Sequence, residues 1–141
     1  MKNILIIFMF FLLKNSSYSQ ITPLDFGNKS ISDVKNAFSI NPCEDSEQMI
    51  TYCVEDGSRL SFLFKSRMLT GIMTMTAFSS QYAAEKQLEN EISLEKKNLG
   101  IEPFRTNGQT IFNTLDSPIF VSYGVDLVDK TYYLIHYVAN K

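Results

Sequence analysis

The sequence predicts an α+β domain, an antiparallel sheet with helices packed on one face. Three observations lead there. Two segments with helical spacing and caps each precede a set of three short runs with strand alternation. The runs within each set are joined by short polar turns, as hairpins require. The second half also repeats the plan of the first. The expected order is therefore α-βββ-α-βββ, with half-repeats over about 31–77 and 80–139. That is an internal pseudo-duplication of pattern rather than of sequence.

The chain opens MKNILIIFMFFLLKNSSYSQ. Lys2 gives a short positive start, Ile4 to Leu13 is an apolar run of ten residues, and Ser17-Tyr18-Ser19 places small residues before Gln20. That is the layout of a cleavable signal peptide over 1–19. Ten residues rise only about 15 Å as a helix, half the ~30 Å of a bilayer's hydrocarbon, so a membrane anchor is disfavoured. Export to the periplasm or the extracellular space, with cleavage near Ser19-Gln20, is the expectation. Nothing later in the chain reaches eighteen apolar residues, so the mature chain is expected to have no membrane span.

Residues 20–30 read as an irregular lead-in with Pro23 and Gly27, and 31–141 as a single domain. In SISDVKNAF, Ser30 followed by Asp33 resembles a capping box, and Ile31, Val34 and Phe38 recur at helical spacing. Asn41-Pro42 ends that helix. MITYCV (49–54) places Ile50, Tyr52 and Val54 on one face, with Cys53 opposite. After the turn Glu55-Asp56-Gly57, RLSFLFK (59–65) alternates Leu60, Phe62 and Phe64 against Arg59, Ser61 and Lys65. MLTGIMTMTA (68–77) sets Leu69, Met73 and Met75 against Thr70, Thr74 and Thr76.

The next helix runs from Ser79 or Ser80 to Gly100, with Tyr82, Leu88, Ile92 and Leu99 as its apolar stripe. Glu85, Glu89, Glu91, Glu95, Lys96 and Lys97 form its solvated side. A loop from Ile101 to Gly108 leads to QTIFNTL (109–115), PIFVSYGVD (118–126) and KTYYLIHYVA (130–139), with turns at Asp116-Ser117 and Val128-Asp129. The last run is apolar on both faces, which suits a central strand.

Export decides how Cys43 and Cys53 are read. An even cysteine count in an oxidising compartment points first to a disulfide. The spacing is too wide for a redox pair, a zinc site would want more ligands, and the single histidine, His136, is remote in sequence. Closing this loop is worth roughly 2.5–3 kcal/mol in the chain-entropy model.

Composition excludes other classes. Without Lys2 and Lys14, 11 basic residues stand against 15 acidic ones, a net charge near −4 with no basic stripe. Nucleic acid and anionic membrane are poor partners for such a surface. No nucleophile elbow, phosphate loop or metalloprotease motif is present, so no catalytic residue, metal or cofactor is assigned. His136 reads as a core histidine, and Glu44, Asp45 and Glu47 as a solvated loop without a calcium pattern. Asn28-Lys29-Ser30 is a glycosylation sequon, of use only in a host that glycosylates exported chains.

A helix leading into an antiparallel meander, used twice in an exported chain, resembles the β-lactamase-inhibitor-protein-like fold. PepSY-like periplasmic domains and small outer-membrane assembly proteins share the plan. SISDVKNAF leading into strands is the nearest local likeness. The resemblance rests on element order over most of the mature chain and carries over no functional residue. It implies binding to proteins rather than catalysis. The tyrosines Tyr123, Tyr132, Tyr133 and Tyr137 in the last two strands are the candidate partner-binding residues. The expected function is a small, exported, non-enzymatic protein-binding module of inhibitor, immunity or envelope-accessory type. The alternative is a carrier of a small apolar ligand held between helix and sheet, lined by Met68, Met73 and Met75.

Overall fold

The computed structural model describes residues 29–114 and 119–140. The expected signal peptide, most of the lead-in, Asn28 of the sequon and the turn at Asp116-Ser117 lie outside them. In chain order the elements are α1 (Ile31–Ala37), β1 (Glu44–Asp45), β2 (Met49–Cys53), β3 (Arg59–Lys65) and β4 (Met68–Phe78). They are followed by α2 (Gln81–Leu99), β5 (Phe104–Thr106), β6 (Gln109–Asn113), β7 (Ile119–Val128) and β8 (Thr131–Asn140). The eight strands among the described residues join one antiparallel sheet in the order β1-β2-β3-β4-β8-β7-β6-β5.

The expected α+β duplication in the order α-βββ-α-βββ does not hold. Eight strands dominate, each helix is followed by four of them, and the helices differ, at 7 residues against 19. Glu44–Asp45 and Phe104–Thr106 are too short and too polar to show alternation, so only the sheet that recruits them makes them strands. Each forms an outer edge, the place where natural sheets use short and charged strands.

Local chemistry accounts for the helices. Ser30 and Asp33 close a full capping box on α1. Hydrogen bonds from Ser30 hold the Asp33 carboxyl below its ordinary pKa. Ser80 caps α2, and Gly100 ends it in the left-handed conformation at φ 67°.

Both helices lie on one face of the sheet. Val34 of α1 and Ile92 of α2 share a core with Ile50, Leu60, Phe62, Val121 and Phe112. Following the register, Ile50, Phe62, Ile72, Val138, Val121 and Phe112 form one row beneath the helices. Tyr52, Leu60, Thr74, His136, Tyr123 and Thr110 form the next. Phe38, just past α1, stacks on Tyr52 at 4.1 Å between ring centres and meets Phe62 edge-on at 5.5 Å.

One strand reads differently from its alternation. Phe64 pairs with Leu69 but Leu63 pairs with Gly71, so Thr70 is an extra residue, a β-bulge. The bulge reverses the faces of everything after it. Leu69 enters the core, while Met73 and Met75 turn to the opposite face and Thr74 and Thr76 turn toward the helices. Periodicity alone put all three apolar residues together.

Candidate functional site

Cys43 and Cys53 are disulfide-bonded, with Cα atoms 5.9 Å apart. The bond ties the chain entering edge strand β1 to β2, beside a backbone hydrogen bond from Cys43 N–H to the Thr51 carbonyl at 2.8 Å. It is therefore a staple on a sheet edge.

The four candidate tyrosines divide between the two faces. Tyr123 and Tyr132 point to the helix side, and Tyr133 and Tyr137 to the other. Tyr123 is buried at 1% exposure and belongs to the core. Its hydroxyl donates to Glu95 Oε2 of α2 at 3.2 Å, and its ring lies 4.7 Å from the His136 ring. Burial raises the Glu95 pKa against the opposing Tyr123 hydrogen bond, and Glu91 adds to the rise. Burial pushes His136 down to about 3, so the imidazole is neutral at pH 7.

Glu95 is the residue that charge patterning placed wrongly. It is 4% exposed, on the buried side of α2. The signal was present: Leu88, Ile92, Glu95 and Leu99 follow 4-3-4 spacing, one face of a helix. Tyr82, assigned to the stripe, is 74% exposed, and Ala84 takes its place in the core. Glu95, Tyr123 and His136 form a polar cluster sealed beneath α2, so no solute reaches it while the helix is docked. What the arrangement holds is a buried hydrogen bond from Tyr123 to Glu95 beside a neutral imidazole. Tyr52, in the same row, is 1% exposed, and its hydroxyl makes no hydrogen bond among the described residues.

The opposite face is different. Among the described residues neither helix packs on it. Following the register from β3 to β7, its rows read Arg59, Met75, Ile135, Gly124; then Ser61, Met73, Tyr137, Ser122; then Leu63, Gly71, Ala139, Phe120. The central strands β4 and β8 place no charged side chain on it. Met73, Met75, Ile135, Tyr137, Leu63 and Phe120 are all half-buried, as is Gly124, while Ser61, Gly71, Ser122 and Ala139 between them are buried. The Tyr137 ring lies across Gly71, where a Cβ would come within 2.8 Å of it, and meets Phe120 edge-on at 5.7 Å.

At one end Arg59 reaches over this face, its guanidinium 5.9 Å from the Tyr133 ring centre and 3.8 Å from Glu44. Beside the β3–β4 turn, an open groove of about 770 Å³ runs along Glu47, Leu63, Lys65, Arg67 and Tyr137. It lies at the rim of the sheet rather than between helix and sheet. Met73 and Met75 likewise face away from the helices, so the residues that suggested an apolar cavity beneath them do not line one.

Among the described residues no three His, Cys, Asp or Glu side chains converge on a possible metal site, and no helix is long and apolar enough to cross a membrane. Set against known proteins, the chain matches no family model, no curated protein and no solved structure.

Proposed function

We propose that this chain is a small exported binding module that docks a protein partner on the helix-free face of its sheet. One observation carries the reading. The central strands present Met73, Met75, Ile135 and Tyr137 on a face that neither helix covers and that β4 and β8 leave uncharged. A solvated sheet face normally alternates to polar residues, and contiguous apolar surface on a small domain marks an interaction site. Methionine adapts to a partner's shape, and tyrosine supplies large contact area with little entropy to lose.

Two further observations support it. The disulfide Cys43–Cys53 suits an oxidising compartment, in agreement with the signal-like first nineteen residues. Two titratable groups with perturbed environments, Glu95 and His136, are sealed in the core, where they serve the fold.

The test is retention by immobilised mature chain, wild type beside Met73→Glu, from the envelope fraction of its own host. Both forms are first shown to melt alike. A protein held by wild type and lost from the variant supports the docking face. Equal retention by the two forms places docking elsewhere and overturns the reading.

A further inference from the structure

Resting on that reading, we infer that the helix-free face is self-complementary, and that the partner it fits is a second copy of this chain. The geometry follows from the strand order. The sheet runs β3-β4-β8-β7 through its centre, so β3 and β7 are equally distant from the line between β4 and β8. A two-fold axis along that line, lying above the face, sets two copies face to face. It places β3 of each over β7 of the other and β4 over β8. Such an interface is isologous: every contact occurs twice.

The rows then match in chemistry. Met73 meets the partner's Tyr137 and Tyr137 meets the partner's Met73, a sulfur–aromatic pairing made twice. Met75 meets the partner's Ile135, Leu63 the partner's Phe120, and Ser61 the partner's Ser122. The centre, β4 over β8, therefore carries the Met73–Tyr137 and Met75–Ile135 contacts, with Leu63–Phe120 and Ser61–Ser122 beside it.

Charge selects this arrangement. Arg59 is in register with Met75, Ile135 and Gly124, so it comes over the partner's Gly124. Gly124 has no side chain to obstruct it. Asp126 lies on the same face two residues further along β7, about 7 Å away, within the reach of an arginine. Asp126 is exposed and Arg59 lies over the same surface, so each copy offers a cation and an anion at matching places. A two-fold axis across the strands would instead carry Arg59 toward the partner's Lys65 end, where like charges meet. Packed sheets cross at roughly 30°, which an arginine of this length accommodates.

The experiment is sedimentation equilibrium on the mature chain from Gln20, as wild type, Arg59→Asp, Asp126→Arg, the double reversal and Met73→Glu. All are checked by thermal melting first. Each single reversal puts like charges together twice per dimer, so self-association weakens about tenfold or more. The double reversal restores part of it, because Glu44 still faces position 59, and Met73→Glu abolishes it. Two results overturn the inference: a wild-type chain that stays monomeric, or a dimer indifferent to Met73→Glu and to the charge reversals. A monomer whose envelope partner is nevertheless lost on Met73→Glu overturns only the self-pairing and leaves the docking face standing. A monomer with identical retention by wild type and Met73→Glu overturns both.

Discussion

The two halves of the sheet are held in different ways. The half built from α1 and β1 to β4 has a helix of only 7 residues, and it relies on an aromatic cluster and a disulfide. Phe38, Tyr52 and Phe62 pack as rings with no polar partner among the described residues for the Tyr52 hydroxyl. The half built from α2 and β5 to β8 contains neither cysteine. It has 19 residues of helix, and it buries a carboxylate, a phenol and an imidazole together. A short helix covers too little area to hold an edge strand, so a covalent bond substitutes for it. A long helix supplies enough apolar contact to tolerate polar groups beneath it. Both solutions act on the same face, and among the described residues no helix packs on the other.

Mutations can break this comparison at several points. The largest effect is expected at Phe112→Ala, which removes a ring with 0% exposure from beneath α2 and costs about 3–5 kcal/mol in urea unfolding. Phe38→Ala, at a half-buried position, costs closer to 2 kcal/mol. Equal losses would show that the two halves share one kind of core.

Next is the staple. Replacing Cys43 and Cys53 together by Ser lowers stability by roughly 2.5–3 kcal/mol, and a reductant lowers the wild type equally while leaving the double variant unchanged. A variant as stable as wild type would mean that β1 is held without it.

The buried cluster makes stability depend on pH in two opposed directions. His136 has a folded pKa of about 3, below its ordinary 6.5. Its contribution is complete above pH 6.5 and declines as pH falls toward 3, by up to about 1.4 kcal/mol per unit. Glu95 is raised, so its contribution is complete below the ordinary carboxylate range and declines as pH rises through its folded pKa. His136→Gln should therefore flatten the acid limb of a melting-temperature profile, a change large enough to dominate below pH 5. Glu95→Gln keeps an acceptor for Tyr123 and removes the charge, so at neutral pH it should stabilise by about 1 kcal/mol and flatten the limb on the high-pH side instead. If both variants move the same limb, the pair does not titrate as described.

The smallest effect concerns the hairpin turns. Ser66 and Arg67 both have positive φ, at 53° and 66°, where Asn-Gly is the favoured pair. Asn107 and Gly108 already provide that pair at the β5–β6 turn. Replacing Ser66-Arg67 by Asn-Gly is expected to stabilise by about 1 kcal/mol or less, read as a shift in denaturation midpoint.

How much of this was legible in the residues depended on the range of the signal. Ser30 with Asp33, Ser80 with Gly100, and the alternation of Arg59–Lys65 are local, and each becomes the element it suggests. Glu44–Asp45 and Phe104–Thr106 carry no local signal, because a strand of two or three residues exists only through its neighbour. The bulge at Thr70 is likewise set by pairing with β3, so Met73 and Met75 were assigned to the wrong side. Glu95 was hidden by its charge although its spacing gave its face. The tyrosines were legible as a group but not as two sets, since which side of β8 faces the helices is decided by the whole sheet. The helix-free face, the basis of the functional proposal, therefore emerges only from register.

The most direct test of that proposal is peroxide footprinting of the methionines, read by mass spectrometry, in dilute chain and in chain saturated with its partner or with itself. Met68, 38% exposed at the β3–β4 turn and paired with Lys65, lies at the rim of the same face and serves as the reference. Met73 and Met75 are expected to oxidise in the dilute chain and to become protected on saturation, by more than Met68 at the rim of the face. Protection of Met68 with no change at Met73 and Met75 would contradict docking on the helix-free face.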